Sequence, residues 1–333
     1  MTASVVAITE LTDVAEARRR AADLGRAGGL DEAAAGRLAI AVTEVATNLL
    51  KHASGGEVFV GMAGTAQRRG VQVIGIDRGG GMTNVDASLV DGYSTAGTAG
   101  TGLGAIRRVS DSFDLYTART GTVVAACVFP SAGRPPAVPP AGAVCVPAPG
   151  ERESGDAWAI WSAGGLTSVF VVDGLGHGRD AATAARVAVD MFQRHAERAA
   201  PDIVALVHDA MKKTRGGAIA LAELDERSGT MRYCAVGNIS AVVARPNGDE
   251  QHCITLPGIA GHAMRRVQTF TYEWPRGSLL IMHTDGIGTH WSLAKYPGLM
   301  QRRPDVVAGV LYRDHRRGSD DATAVVTRHG EVA

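Results

Sequence analysis

No Gly-Lys-Ser or Gly-Lys-Thr triplet occurs anywhere in the 333 residues, which excludes a Walker-type phosphate loop. The glycine cluster Gly100 to Gly104 follows a Ser/Thr/Gly-rich loop and not a strand, so the Rossmann arrangement is excluded as well. Cysteine is scarce: Cys127, Cys145, Cys234 and Cys253 are scattered and lack the short paired spacings of zinc sites. They read as reduced thiols, at least two of them packed in apolar strands. Net charge is absent too. Thirty-four basic residues balance 34 acidic ones, which argues against nucleic acid or an anionic membrane and suits a neutral protein partner. No apolar run approaches the ~20 residues that cross a bilayer, and the opening MTASVVAITELTD has no basic n-region. The chain is therefore expected to be cytoplasmic.

What is present is two stretches of different pattern joined by proline. With 45% hydrophobic residues, 333 residues suffice for two domains, each with its own core. Seven of the 13 prolines fall between residues 130 and 150, where charge is almost absent. Proline at that density favours extended polyproline II, so residues 131–150 are expected to be a semi-rigid spacer that builds no core. The expected division is residues 1–130, the spacer 131–150, and residues 151–330.

In the first part Val5 to Ile8 reads as a strand and Leu11 to Gly28 as a helix. EVFVGM, VQVIGI, SFDLYTA and TVVAACVF read as strands of a sheet with helices packed against it, an α/β sandwich. Asp31 to Ala53 opens on two acids, is rich in Ala and Leu, and closes on Lys51 and His52, as a helix and its dipole favour. On that helix Leu38, Val42, Val45 and Leu49 share one face, while Glu44, Asn48, Lys51 and His52 form a second stripe. Glu44 and Asn48, one turn apart, are an acid able to accept a proton and an amide oxygen able to bind Mg²⁺. Asp77 sits where VQVIGI ends and the Gly79-Gly80-Gly81 turn begins. Gly100 to Gly104 leads into AIRRVSDSF, a helix whose first amides are free to meet an anion. An acid at one end of this loop and free amides at the other suit a nucleotide.

E-x-x-x-N-x-x-K-H, then D-x-G-x-G, then G-T-G-L-G, in that order, resembles the three boxes of the GHKL ATPase and kinase superfamily. DGYSTAGTAGTGLGAIRRVSDSFDLYTARTGTVV resembles the small RsbT-like serine kinases of bacterial stress-response switches, and the likeness covers nearly all of residues 1–130. The resemblance implies a Bergerat-type α/β sandwich that binds ATP and Mg²⁺. It implies Glu44 as general base toward a protein hydroxyl, Asn48 as Mg²⁺ ligand, and Asp77 as holder of the adenine amino group. Gly79 and Gly81 would shape the adenine turn. Gly100, Thr101, Gly102, Leu103 and Gly104 would bring main-chain amides to the phosphates, and residues 82–99 would form a lid. Lys51 is read as solvated.

Beyond the spacer, short strands follow closely: AWAIWS, TSVFVVD, AIALAEL, TMRYCAV, SAVVARP, HCITL, FTYEW, SLLIMHT and ATAVVT. Asn238 and Asn247-Gly248 read as hairpin turns, and helices are expected over 180–200, 201–213 and about 304–315. A β-sandwich flanked by helices accommodates these elements, so the whole chain is of the α/β (α+β) class. Asp156, Asp173, Asp285 and the pair Asp320-Asp321 stand at strand ends or turns beside small residues. Hard cations prefer carboxylate, carbonyl and water oxygens, so these aspartates suggest a two-metal hydrolase centre for Mg²⁺ or Mn²⁺. Asp-Gly pairs also simply make turns, and for any one aspartate both readings stay open.

G-D, D-G-x-G-H-G, T-D-G and D-D-A-T, in this order, are similar to the metal-dependent PPM protein phosphatases of the SpoIIE-type branch, over roughly residues 150–330. The resemblance implies Asp156, Asp173, Asp285 and Asp320 as metal ligands and the carbonyl of Gly174 as another, with Asp321 the lesser member of its pair. His177 shapes the Gly176 to Gly178 turn or faces solvent near the metals. The sequence departs from the family pattern in two places. SGD stands where a double glycine is usual, and the phosphate-gripping arginine of some relatives has no clear counterpart, Arg152 being the candidate.

Two functions of different class follow. In one, a serine/threonine kinase and a phosphatase act on a single STAS-domain phosphoprotein, an anti-sigma antagonist or stressosome-like partner, within a sigma-factor switch. In the other, the first half only senses ATP or a partner and gates the phosphatase. Glu44 favours the first, because a pure sensor has no use for a catalytic base.

Overall fold

In the computed structural model, which describes residues 3–64, 69–89, 102–132, 141–264 and 266–330, the chain divides into two units, Thr2–Ala137 and Val138–Ala333. The first unit runs β1 (Ala3–Ile8), α1 (Leu11–Ala27), α2 (Glu32–Ala53), β2 (Gly56–Gly64), β3 (Arg69–Ile76), α3 (Val85–Ser88), α4 (Gly102–Val109), β4 (Ser112–Ala118) and β5 (Gly121–Val128). Its strands form one antiparallel sheet in the order β1-β2-β3-β5-β4.

Helix α2 begins because Asp31, in extended conformation, accepts the Ala34 amide at 3.0 Å and satisfies one of the orphan donors of the first turn. It ends where Ser54 adopts the left-handed conformation and the Gly55 amide returns to the Leu49 carbonyl at 3.0 Å. Leu38, Val42, Val45 and Leu49 are buried in the core formed with Val58, Val71 and Val73 of the sheet. By length and composition alone α2 could cross a membrane, contrary to the expectation that no segment approaches this, but its apolar face packs on the sheet. The approach is close: a Cβ on Gly75 of β3 would lie 2.4 Å from Val45 Cγ1. Asp31 also takes the Ser131 amide at 2.6 Å and the Ser131 hydroxyl at 2.9 Å, so one carboxylate starts the helix and ties down the far end of the unit. Those bonds, Ser131's first, hold its pKa down at about 2.

The second unit runs β6 (Ala141–Val146), β7 (Asp156–Ala163), β8 (Leu166–Gly174), α5 (Arg179–His195), α6 (Ala200–Met211), β9 (Gly217–Asp225), β10 (Thr230–Val236), β11 (Ser240–Ala244), β12 (Glu250–His252), β13 (Phe270–Glu273), β14 (Leu279–His283), α7 (Pro304–His315) and β15 (Ala322–Arg328). Two antiparallel sheets, β13-β10-β9-β8-β7 and β12-β11-β14-β15-β6, face each other. Strand β8 shows why it reads as an unbroken apolar run. Val169 and Val171 join the core between the sheets, while Phe170 and Val172 join a second core with Phe192 of α5 and Ile203 of α6. On the other side α7 packs on β15 and β6.

Three expectations fail here. Residues 131–150 are not a coreless spacer: β6 pairs with β15 in register Ala141↔Thr327 to Val146↔Ala322, and Val144, Cys145 and Val146 are buried. Proline flanks this strand without interrupting it, so its amides remain free to bond. Asn238 is not a hairpin turn, because β10 and β11 lie in different sheets and the chain crosses between them at Gly237-Asn238. In HCITL only His252 belongs to a strand.

Candidate functional site

In the first unit α2 lies beside the turn that follows β3, at Gly79, and beside the first residue of α4, Gly102. Glu44 and Asn48 are half-buried, and among the described residues neither side chain has a hydrogen-bond partner. Gly102, the first residue of α4, lies so close that a Cβ there would sit 2.9 Å from Asn48 Oδ1. Asp77 follows β3; its Oδ1 accepts the Gly79 amide at 2.8 Å and the Thr122 amide at 3.1 Å, which fixes the carboxylate. Gly79 packs against Ala53 at the end of α2. Gly81 has φ +73, and a Cβ there would meet the Ala118 carbonyl at 2.2 Å, so only glycine makes this turn. Leu103 and Gly104 are buried, with the Leu103 side chain in the core, so only their main chain is available to a ligand. Gly100, Thr101 and residues 90–99 of the expected lid lie outside the described residues. The arrangement offers a base, an amide oxygen and a fixed acid along one helix edge, which fits a nucleotide with its Mg²⁺.

In the second unit the aspartates come from both sheets. Asp156 opens β7 and Asp173 ends β8, and the register sets them directly opposite each other. Asp285 follows β14 and Asp320 precedes β15, its antiparallel neighbour. Like charges gathered there raise one another's pKa. Burial pushes Asp156 well above the carboxylate range, with Asp173 adding to it. Burial, then Asp285, Asp320 and Asp321, push Asp173 to about 7. Asp285 is raised by burial and by Asp320, against the pull of Arg317. Gly174 has room for no side chain, since a Cβ would meet the Ala181 carbonyl at 2.4 Å.

Sequence reasoning missed the groups that hold these acids. The Thr284 hydroxyl donates to Asp156 Oδ2 at 2.7 Å, and the Asn238 amide donates to Asp285 Oδ2 at 2.8 Å. Asn238 was legible only as a turn marker, and nothing in the pattern distinguishes Thr284. Asp321 has both oxygens on amides, of Ala148 at 2.8 Å and Gly155 at 3.0 Å, whereas Asp320, among the described residues, bonds only the Asp321 amide through Oδ1. His177 Nδ1 bonds Glu151 Oε1 at 2.8 Å, which raises its pKa.

Among the described residues no three His, Cys, Asp or Glu side chains are closed around one point. The donor set nevertheless fits hard divalent cations: Asp156 Oδ1 is buried with no hydrogen bond, and Asp173 is raised by burial and by three neighbouring acids.

The family model for Stage II sporulation protein E (SpoIIE) matches residues 163–329, and that for the histidine kinase-like ATPase domain matches residues 8–128. The phosphoserine phosphatase RsbX of Bacillus subtilis (strain 168) is 27% identical over 117 residues, 35% of this chain, and the chain spans 59% of that protein's length. The serine/threonine-protein kinase RsbT of the same organism is 28% identical over 124 residues, 37% of this chain and 93% of RsbT. A solved structure from the bacterial stressosome, described as a modular system adapted to control secondary messenger signalling, is 27% identical with a TM-score of 0.53. It covers 57% of this chain and 98% of its own.

Proposed function

This chain belongs to the SpoIIE family, and from that membership we propose that its second unit is a metal-dependent protein serine phosphatase and its first an ATP-dependent serine/threonine kinase. Both act on one STAS-domain phosphoprotein of a bacterial stress-response switch, in the cytoplasm. The relatives support this reading, since one is a phosphoserine phosphatase and another a serine/threonine kinase. The observation that carries it is the pair Asp156 and Asp173, opposed across β7 and β8, with a buried Asp156 oxygen that no protein donor meets.

Asp156, Asp173, Asp285, Asp320 and the carbonyl of Gly174 would hold Mg²⁺ or Mn²⁺. When bound, such ions activate a water and neutralise phosphoryl charge. Thr284 and Asn238 each hold one oxygen of a carboxylate, Asp156 Oδ2 and Asp285 Oδ2, and so orient it. In the first unit Glu44 would take the proton of the partner's serine hydroxyl, Asn48 would hold Mg²⁺, and Asp77, whose Oδ1 the Gly79 and Thr122 amides fix, would hold the adenine amino group. Amides at the start of α4 would meet the phosphates.

The test mixes the chain with ATP, Mg²⁺ or Mn²⁺ and candidate STAS proteins, and follows phosphate on and off the partner. Glu44→Gln should stop phosphorylation while ATP binding persists, and Asp173→Asn should stop dephosphorylation alone. Undiminished phosphorylation by Glu44→Gln would leave the first unit as an ATP- or partner-sensing module that gates the phosphatase.

A further inference from the structure

Beside the carboxylates lies a pocket of ≈ 400 Å³ lined by Glu151, His177, Arg179, Asp180 and Arg215, with the Gly176 to Gly178 turn as its floor. One wall is continuous with the metal loop: Gly176 and His177 follow Asp173, and the Leu175 amide bonds the carbonyl of Gly216, the residue after Arg215, at 2.9 Å. A Cβ on Gly155 would meet both Asp321 Oδ2 at 2.7 Å and the Gly176 carbonyl at 3.2 Å, which sets this turn beside the acids.

The charges in the pocket are unevenly satisfied. Glu151 accepts from His177, and Asp180 is held by Arg215 Nη2 at 2.8 Å. Both acids therefore have partners. The Arg179 guanidinium is exposed and makes no hydrogen bond among the described residues, and Arg215 is half-exposed with Nη1 turned toward Gly176. The donor capacity left over is the whole Arg179 guanidinium and the part of Arg215 that Asp180 does not engage, and a planar guanidinium matches a carboxylate.

We propose that this pocket is a docking subsite for an acidic side chain flanking the phosphoserine of the substrate, recognised by Arg215 and Arg179. The inference rests on the phosphatase reading and adds a sequence preference to it. Arg215 is a specificity residue here. Its main chain is fixed independently of the guanidinium, because its carbonyl accepts from His262 Nε2 at 3.0 Å, so side-chain changes leave the loop anchored.

The test is a cycle on the full chain with Mn²⁺. Wild type, Arg215→Ala, Arg215→Lys and Arg179→Ala are assayed on two phosphoserine peptides that differ only in a flanking Glu or Gln. Binding of both peptides in EDTA is followed by fluorescence anisotropy. Wild type should prefer the Glu peptide about fivefold in kcat/KM, through KM, as a partly exposed charge pair allows. Arg215→Ala should abolish that preference in both assays, Arg215→Lys should keep part of it, and Arg179→Ala should reduce it. Equal losses on both peptides would overturn the proposal, since Arg215 would then serve the phosphoryl group or the fold. A preference for Gln over Glu in wild type would overturn it too. If wild type hydrolyses neither peptide, the phosphatase reading falls and takes this proposal with it, whereas hydrolysis without preference removes the subsite alone.

Discussion

On the proposed reading, Asp173 is the residue on which metal and stability meet. In the unfolded chain its carboxyl loses its proton near the ordinary aspartate value of 3.8, but in the folded chain burial and the neighbouring acids keep the proton until about pH 7. Between those values the folded state binds more protons than the unfolded one, so this group makes the metal-free protein less stable as pH rises. In EDTA the melting temperature of wild type relative to Asp173→Asn should therefore fall from pH 4 to pH 8, with the variant the more stable at the upper end. Mn²⁺ should reverse that order, because binding at a hundredfold excess over Kd adds about 2.7 kcal/mol to wild type alone. Melting with and without metal across the pH range checks both signs. Thr284 gives a second expectation. Removing the hydroxyl that bonds the buried Asp156 leaves that carboxylate without its donor, so Thr284→Val should cost about 1–3 kcal/mol in denaturant unfolding. Thr284→Ser, which keeps the hydroxyl, should cost much less.

Among the elements, the seat of α2 on its sheet depends on a missing side chain. Gly75→Ala would place a methyl 2.4 Å from Val45 Cγ1, and overpacking of this kind costs about 1–3 kcal/mol. Val45→Ala removes the opposing methyl, so the double variant should be more stable than the sum of the two single losses predicts from urea midpoints. Helix α2 was legible from its cap, its dipole charges and its apolar stripe, all local features. Strand β8 was legible because both its faces are buried and the apolar run is continuous. Strand β6 was not, for AGAVCV is short, sits among prolines, and is made a strand by β15, whose residues lie about 180 positions later in the chain. The same distance hid the partners of the aspartates. Thr284 reaches Asp156 across 128 positions and Asp31 reaches Ser131 across 100, and no periodicity within a window reports such pairs. The aspartates themselves stand out in the sequence because each lies at a strand end or turn next to glycine or another small residue.

For the whole chain, the boundary of the second unit sets a clear expectation. A fragment of residues 138–333 retains β6 and covers β15, whereas one of residues 151–333 exposes the β15 edge and loses the buried Val144 and Val146. The longer fragment should melt cooperatively, and the shorter should aggregate or show no transition by calorimetry. If both melt alike, β6 is an ornament of the fold and not part of it. Because the chain enters this unit through β6, the strand is also its mechanical handle. A pull arriving from residues before Ala141 is borne first by the β6–β15 ladder, and just beyond it by the Ala148 amide that grips Asp321. A load entering through β6 therefore reaches the segment that carries Asp320, one residue away from that grip, so force on this strand would disturb the placing of one of the proposed ligands.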